Sequence, residues 1–289
     1  MLGLWLLPVG AEAQAYGEVR FAGETRVEVV TEARPRGEVR VSVRAGSQRV
    51  TVYEGREAQA WSDASARGVL VGLLGGTAGL SAVLVPVEAG RLGAPRAVTI
   101  RRPEARGRAP VGIAVAARGD DGFALVWQEA SVSQPASMYT THVVEVSAEG
   151  RAGEARASSA TWPIADVAWL PAQGRYYFLL YYAAGGRPDG TRFCGVHVDP
   201  GSLTATEHPF WVTRPGQLDE AELVVSGARV FALYRDGGAL LEAEVTDGSW
   251  GREAPASRDR GAIDDAVAYG GRADGGAVEV ARVRLDTVQ

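Results

Sequence analysis

The sequence predicts an all-β fold assembled from a repeating four-stranded antiparallel unit, and three observations carry that expectation. From Tyr16 to Gly55, apolar and charged residues alternate with a period of two. No stretch shows a helical period flanked by caps. Beyond Trp61, one strand-turn-strand pattern recurs about every fifty residues, a spacing found among propeller blades.

The chain opens with MLGLWLLPVGAEAQA, a short apolar run followed by small residues. Residues 1 to 15 have the form of a secretory signal peptide cleaved after Ala15, and export to the periplasm or the outside is the expectation. No Arg precedes the apolar run, as if the leader were truncated, and a buried first strand is the alternative. No other apolar run is long enough to span a bilayer. Cys194 stands alone, which rules out an internal disulfide.

The next segments read GEVRFAG, TRVEVVTEA, GEVRVSVRAG and QRVTVYEG, with Arg and Glu on one face and Val, Phe and Tyr on the other. They are expected to be half-exposed antiparallel strands joined by short turns. The repeat then unfolds most clearly from Pro163 to Phe210, where Gly- and Pro-containing turns separate four runs of β-branched and aromatic residues. Its second strand reads GVLVGLLGG, GFALVWQE, RYYFLLYY and RVFALYRD in successive copies. Aligned on that strand, Trp127, Tyr181 and Tyr234 share one place, held by Leu73 in the earliest copy.

A four-stranded sheet cannot bury both its faces alone, and radial packing against neighbours solves that. Residues 16 to 289 are therefore expected to form a single β-propeller domain. The last copy stops at Gln289 without outer strands, while Tyr16 to Thr31 provide surplus ones. Pairing the two would close the ring and remove open edges. This counts five blades, or six if residues 17 to 55 form a blade of their own; a sandwich of two stacked sheets is the competing architecture.

Composition narrows the function classes. The 289 residues are 46% hydrophobic and 22% charged, with a formal net charge of -5, as in an ordinary globular protein. All thirty basic residues are Arg, and no basic stripe interleaved with aromatics marks a nucleic-acid surface. His142, His197 and His208 lack metal-ligand spacing. Phosphate loops, dinucleotide fingerprints and nucleophile elbows are missing from the sequence.

Carboxylates are the remaining candidates. In an up-and-down blade, the segment leading into the first strand and the loop between the second and third lie at one end. That end collects Asp166, Asp219, Glu220, Asp264 and Asp265 before first strands, and Glu129 and Asp236 closing second strands. First strands line the channel, so these groups are expected at one acidic mouth. Such crowding raises carboxyl pKa values and suits acid–base work or a hard cation such as Ca²⁺. Acidic residues before strands also hydrogen-bond turns and deter edge pairing, which is the plainer reading of each one singly.

The segments ADVAWLPAQGRYYFLLYYAAG and DEAELVVSGARVFALYRDGG resemble blade starts of five-bladed propeller glycoside hydrolases of the arabinanase and β-xylosidase type. The resemblance covers about two blades. It implies that Asp166 corresponds to the positioning Asp, Glu220 to the general acid and Asp63, in WSDAS, to the base, although the usual Asp-Pro is absent there. Three readings follow. In the first, a binding module takes a carbohydrate or a protein at the acidic mouth. In the second, a hydrolase uses Asp63, Asp166 and Glu220. In the third, a purely structural propeller leaves its channel empty.

Overall fold

A computed structural model describes residues 15–76, 79–103, 107–131, 139–182, 192–207, 211–212, 219–236, 239–246, 249–251, 254–255, 267–274 and 277–284. Strands β1–β4 are Ala15–Ala22, Thr25–Arg34, Glu38–Ala45 and Gln48–Arg56. Next come β5–β9, at Gln59–Ser65, Gly68–Gly75, Gly79–Glu88, Arg91–Leu92 and Arg96–Val98. Strands β10–β13 span Arg108–Ala117, Phe123–Ser131, Thr140–Val146 and Arg156–Ser158. They are followed by β14–β18, Ile164–Leu170, Arg175–Tyr182, Arg192–Val198, Ala205–Glu207 and Trp211–Val212. The last strands, β19–β25, are Asp219–Ser226, Arg229–Asp236, Ala239–Thr246, Ser249–Trp250, Ala254–Pro255, Val267–Asp274 and Ala277–Arg284.

These strands form five sheets. Four of them run outward in chain order from an inner strand, namely β5, β10, β14 and β19. The remaining sheet is composite, in the order β25-β24-β1-β2-β3-β4. Neighbouring inner strands pack side by side in the cyclic order β1, β5, β10, β14, β19, β24, with β24 returning to β1. Six inner strands thus surround one axis, although the sheets number five.

Closure joins the N-terminal strands to the last hairpin, inner strand to inner strand. β1 runs parallel to β24, with Glu18 opposite Tyr269, while β24 pairs antiparallel with β25. The backbones meet so closely at this seam that a Cβ on Gly270 would strike the Val19 carbonyl. A residue without a side chain is what that approach requires.

Between sheets, the alternation of each strand sends one set of apolar residues to either neighbour. Val69, Val71 and Leu73 pack on Val27, Val29 and Val41, whereas Leu70 and Leu74 face Ile113, Leu125 and Trp127. Ala114, Val126 and Val143 meet Val167, Phe178 and Val196, and Tyr177 and Leu179 meet Ala232 and Tyr234. Gln128 ties two sheets together by polar bonds, donating to the Trp162 carbonyl at 2.6 Å and accepting from Ile164 N at 2.9 Å.

The expected equivalence of the second-strand aromatics holds for Trp127 and Tyr234, which face the preceding sheet, as Leu73 does. Tyr181 departs from it. Leu180 occupies the face toward the preceding sheet, and Tyr181 packs toward the following one. A shift of one residue along a strand exchanges its two faces, so an alignment one position out relocates the side chain completely.

Candidate functional site

Away from the β1–β24 seam, the inner strands β5, β10, β14 and β19 are edge strands, each with a row of backbone groups that no further strand pairs. Two aspartates answer part of that need across sheet boundaries. Asp63 of β5 accepts from Ala117 N of β10 at 2.6 Å and from its neighbour Ala64 N at 2.7 Å. Asp166 of β14 accepts from Leu223 N of β19 at 2.6 Å.

Around the same axis, β1 contributes Glu18 and Arg20. The Arg20 guanidinium pairs with Glu222 of β19, lies 3.2 Å from Glu18 and donates through Nε to the Ser62 carbonyl at 2.7 Å. Ser62 Oγ in turn donates to Glu18 at 2.5 Å. One cation therefore bridges β1, β5 and β19.

Arg20, Ser62, Asp63, Asp166 and Glu222 border a cavity of ≈ 230 Å³ in the channel, together with Phe21 and Trp169. Its walls run from the middle of the inner strands to their C-terminal ends, at positions 62–64, 115 and 117, 166–169 and 222–225. The cavity occupies that half of the channel, away from the N-terminal ends where the mouth was expected. At its rim the Arg118 guanidinium lies 4.7 Å from the Trp169 ring centre and Arg272 lies 5.0 Å from that of Phe21.

Four carboxylates, Glu18, Asp63, Asp166 and Glu222, share one guanidinium, which leaves an excess of three negative charges if all ionise. Burial, in the first place, shifts all four carboxyls toward the protonated form. Burial pushes Asp166 well above the ordinary aspartate range, against the pull of the Leu223 amide and Arg20. Burial raises Glu222 to about 7 although Arg20 pulls it down. Glu18 and Asp63 are raised by burial too. Against its own burial, Arg20 is held more firmly in its charged form by the combined attraction of Glu18, Glu222, Asp63 and Asp166.

Asp63 and Asp166 thus meet at one cavity. Asp63 belongs to a seven-residue inner strand, β5. Glu220 falls at the bulge between Asp219 and Ala221, where the register of β19 shifts. Two residues on, Glu222 lines the channel cavity. The side chains of Asp219, Glu220 and Asp236 lie outside the described residues, as do Asp264, Asp265, His208 and the side chain of Cys194.

Glu129 is in a different place. It is fully buried at the boundary between the β5 and β10 sheets and accepts from Arg102 Nη2 at 2.8 Å. The His142 imidazole, stacked on Trp127, stands 3.7 Å from its other oxygen. Among the described residues, that oxygen and both His142 nitrogens have no hydrogen-bond partner. Burial lowers the His142 pKa more than Glu129 raises it.

Glu18, Arg20, Ser62 and Glu222 were missed in the sequence. Their signal was present as period two: Glu18 and Arg20 flank the buried Val19, and Glu222 follows Glu220 by two positions. Alternation assigned Glu18 and Arg20 to a polar face but not to the channel. Among the described residues, no group of three or more His, Cys, Asp or Glu could hold a metal ion. No described helix is long and apolar enough to cross a membrane.

No protein-family profile matches the chain, and no curated protein does. Solved structures do. The fucose-recognising, six-bladed β-propeller lectin of the fungus Aleuria aurantia covers 96% of this chain over 97% of its own, with 14% identity and a TM-score of 0.56. The AofleA protein of Arthrobotrys oligospora covers 94% over 79% of its own, at 10% identity and a TM-score of 0.57. An α-L-arabinofuranosidase of Clostridium thermocellum covers 83% over 93% of its own, with 10% identity and a TM-score of 0.48. The fold is a β-propeller with antiparallel, mostly four-stranded sheets.

Proposed function

We propose that this protein is a carbohydrate-binding propeller whose ligand occupies the axial cavity. One observation carries the reading: Asp63, Asp166, Glu222 and Arg20 share that cavity with Trp169. Carboxylates accept from sugar hydroxyls, a guanidinium donates to ring and hydroxyl oxygens, and an indole covers the apolar face of a pyranose. A concave site with a few convergent polar groups is the ordinary form of a small-ligand pocket. Lectins among the structural neighbours are in keeping with it, one being described for its fucose recognition. Export, expected from residues 1 to 15, suits such a module.

Titration calorimetry against a panel of free monosaccharides, including L-fucose and L-arabinose, tests this. At least one sugar should bind, and Trp169→Ala should weaken it at least tenfold, or about 1.4 kcal/mol. Failure of every sugar to bind would overturn the proposal.

A second reading rests on the Glu222 carboxyl, which burial raises to about 7 beside two aspartates. A carboxyl holding its proton near neutrality is what a glycosidase general acid needs. Glu222 would then take the role that the resemblance assigned to Glu220. Both Asp63 oxygens are committed to backbone amides, which makes it a poor base and puts binding ahead of hydrolysis. Wild-type protein that releases no aryl leaving group from arabinofuranosides or xylosides retires this reading.

A further inference from the structure

Around the axial cavity the side-chain donors are already engaged, and the acceptors are not. Every nitrogen of Arg20 has a partner in the wall: Nε donates to the Ser62 carbonyl at 2.7 Å, one Nη lies 3.2 Å from Glu18, and the other pairs with Glu222. Ser62 Oγ donates to Glu18 at 2.5 Å. At the rim, Arg272 is paired with Glu24 at 2.9 Å and Arg118 with Glu145 at 2.8 Å.

The acceptors divide differently. Glu18 gives its two oxygens to Arg20 and Ser62, and Asp63 gives both of its own to backbone amides. Glu222 meets Arg20 through Oε1, and Asp166 meets the Leu223 amide through Oδ2, so each of these two has a second oxygen to offer. They are also near enough to repel one another. The remaining inner strands do not offset this charge: β24 brings Arg272, which Glu24 neutralises, and β10 brings only Val115 and Ala117.

The other wall of the cavity is aromatic. Phe21 and Trp169, both partly exposed, border it, and a ring face attracts a cation. Among the described residues, no group of three or more His, Cys, Asp or Glu could hold a metal ion. A larger cation with several hydrogen-bond donors matches such a site better than a bare ion does.

We propose that the ligand of the axial cavity carries a protonated primary amine, which makes it an amino sugar, with the ammonium held by Glu222 and Asp166 and the ring against Trp169. This rests on the carbohydrate reading above. An ammonium supplies three N–H donors where acceptors are in surplus, and its charge relieves the repulsion between the two carboxylates. Burial holds protons on these carboxyls, so the arriving ammonium displaces them to solvent.

The test compares matched sugars by calorimetry: D-glucosamine with D-glucose, and D-galactosamine with D-galactose. At about pH 6.5, where an amine is charged, the amino sugar should bind at least tenfold tighter than its neutral partner. Glu222→Gln keeps the side-chain shape without the charge and should shrink that preference roughly tenfold. From about pH 5 to about pH 7 the amine stays charged while Glu222 ionises. Affinity for the amino sugar should therefore rise across that window, and affinity for the neutral partner should not. Equal affinities within each pair, a preference that survives Glu222→Gln, or L-fucose bound when neither amino sugar is, would overturn the amine while the carbohydrate reading stands. If no sugar binds at all, the carbohydrate reading itself fails and the amine goes with it.

Discussion

Asp166 Oδ2 accepts the Leu223 amide proton at 2.6 Å, so a carboxylate on one inner strand completes the open edge of the next. Removing the acceptor and removing the charge are then separable. Asp166→Ala leaves the Leu223 N–H unsatisfied and should cost about 1–3 kcal/mol in urea unfolding. Asp166→Asn keeps a carbonyl acceptor and lessens the crowding of negative charge, so its stability should match or exceed the wild type. If the two variants are equally destabilised, the bond is not what holds the strands together.

Glu222 sets a pH dependence of definite sign. Its carboxyl goes from 4.5, the ordinary value, to about 7 in the folded chain, through burial. The folded state therefore binds this proton more tightly than the unfolded one. Stability from that preference is fully present below 4.5 and is lost as the pH rises toward 7. The melting temperature of the wild type should fall across this window relative to Glu222→Gln, which cannot ionise. Parallel curves for the two proteins would show that Glu222 does not titrate there.

The seam between β1 and β24 depends on Gly270. A side chain placed there meets the Val19 carbonyl, which is backbone and cannot rotate away. Gly270→Val should cost roughly 3 kcal/mol or more, at the upper end of overpacking penalties. Deleting residues 16 to 31 attacks the same seam from the other side and exposes β24 as an open edge, so the truncated chain should aggregate. A truncated protein with an unchanged melting temperature would refute the closure.

Glu129 and Arg102 form a pair of which one member is fully buried and the other partly exposed. Glu129→Leu removes the buried charge along with the polar partner of Arg102, whereas Glu129→Ala also leaves a void. Thermal unfolding should therefore rank Ala well below Leu, because a well-packed apolar replacement for a buried ion is often tolerated. The reverse order would assign Glu129 a role beyond packing.

Strand existence, strand order and the all-β class were legible in the sequence because period-two alternation and turn residues act over a few positions at a time. The pairing of residues 16 to 31 with the terminal hairpin could be inferred from unequal strand supply at the two ends. Its form, β1 parallel to β24 across Gly270, depends on two backbones separated by almost the whole chain. Tyr181 shows how local the legible information was: one position of register decides which sheet a side chain faces, and hairpin turns of different length set that register.

The site divided the same way. Asp166 could be picked out by its place before a first strand, and Asp63 only through the resemblance to propeller glycoside hydrolases. Arg20, Glu18 and Glu222 read only as members of polar faces. A polar face on an inner strand turns to the channel instead of bulk solvent, and only the ring of six inner strands decides which faces those are. Glu129 and Glu222 show the result: both are carboxylates within strands. Packing buries the first against a neighbouring sheet with Arg102 and holds the second at the axis with Arg20, since side-chain direction and the neighbouring sheet, rather than residue type, determine what a carboxylate meets.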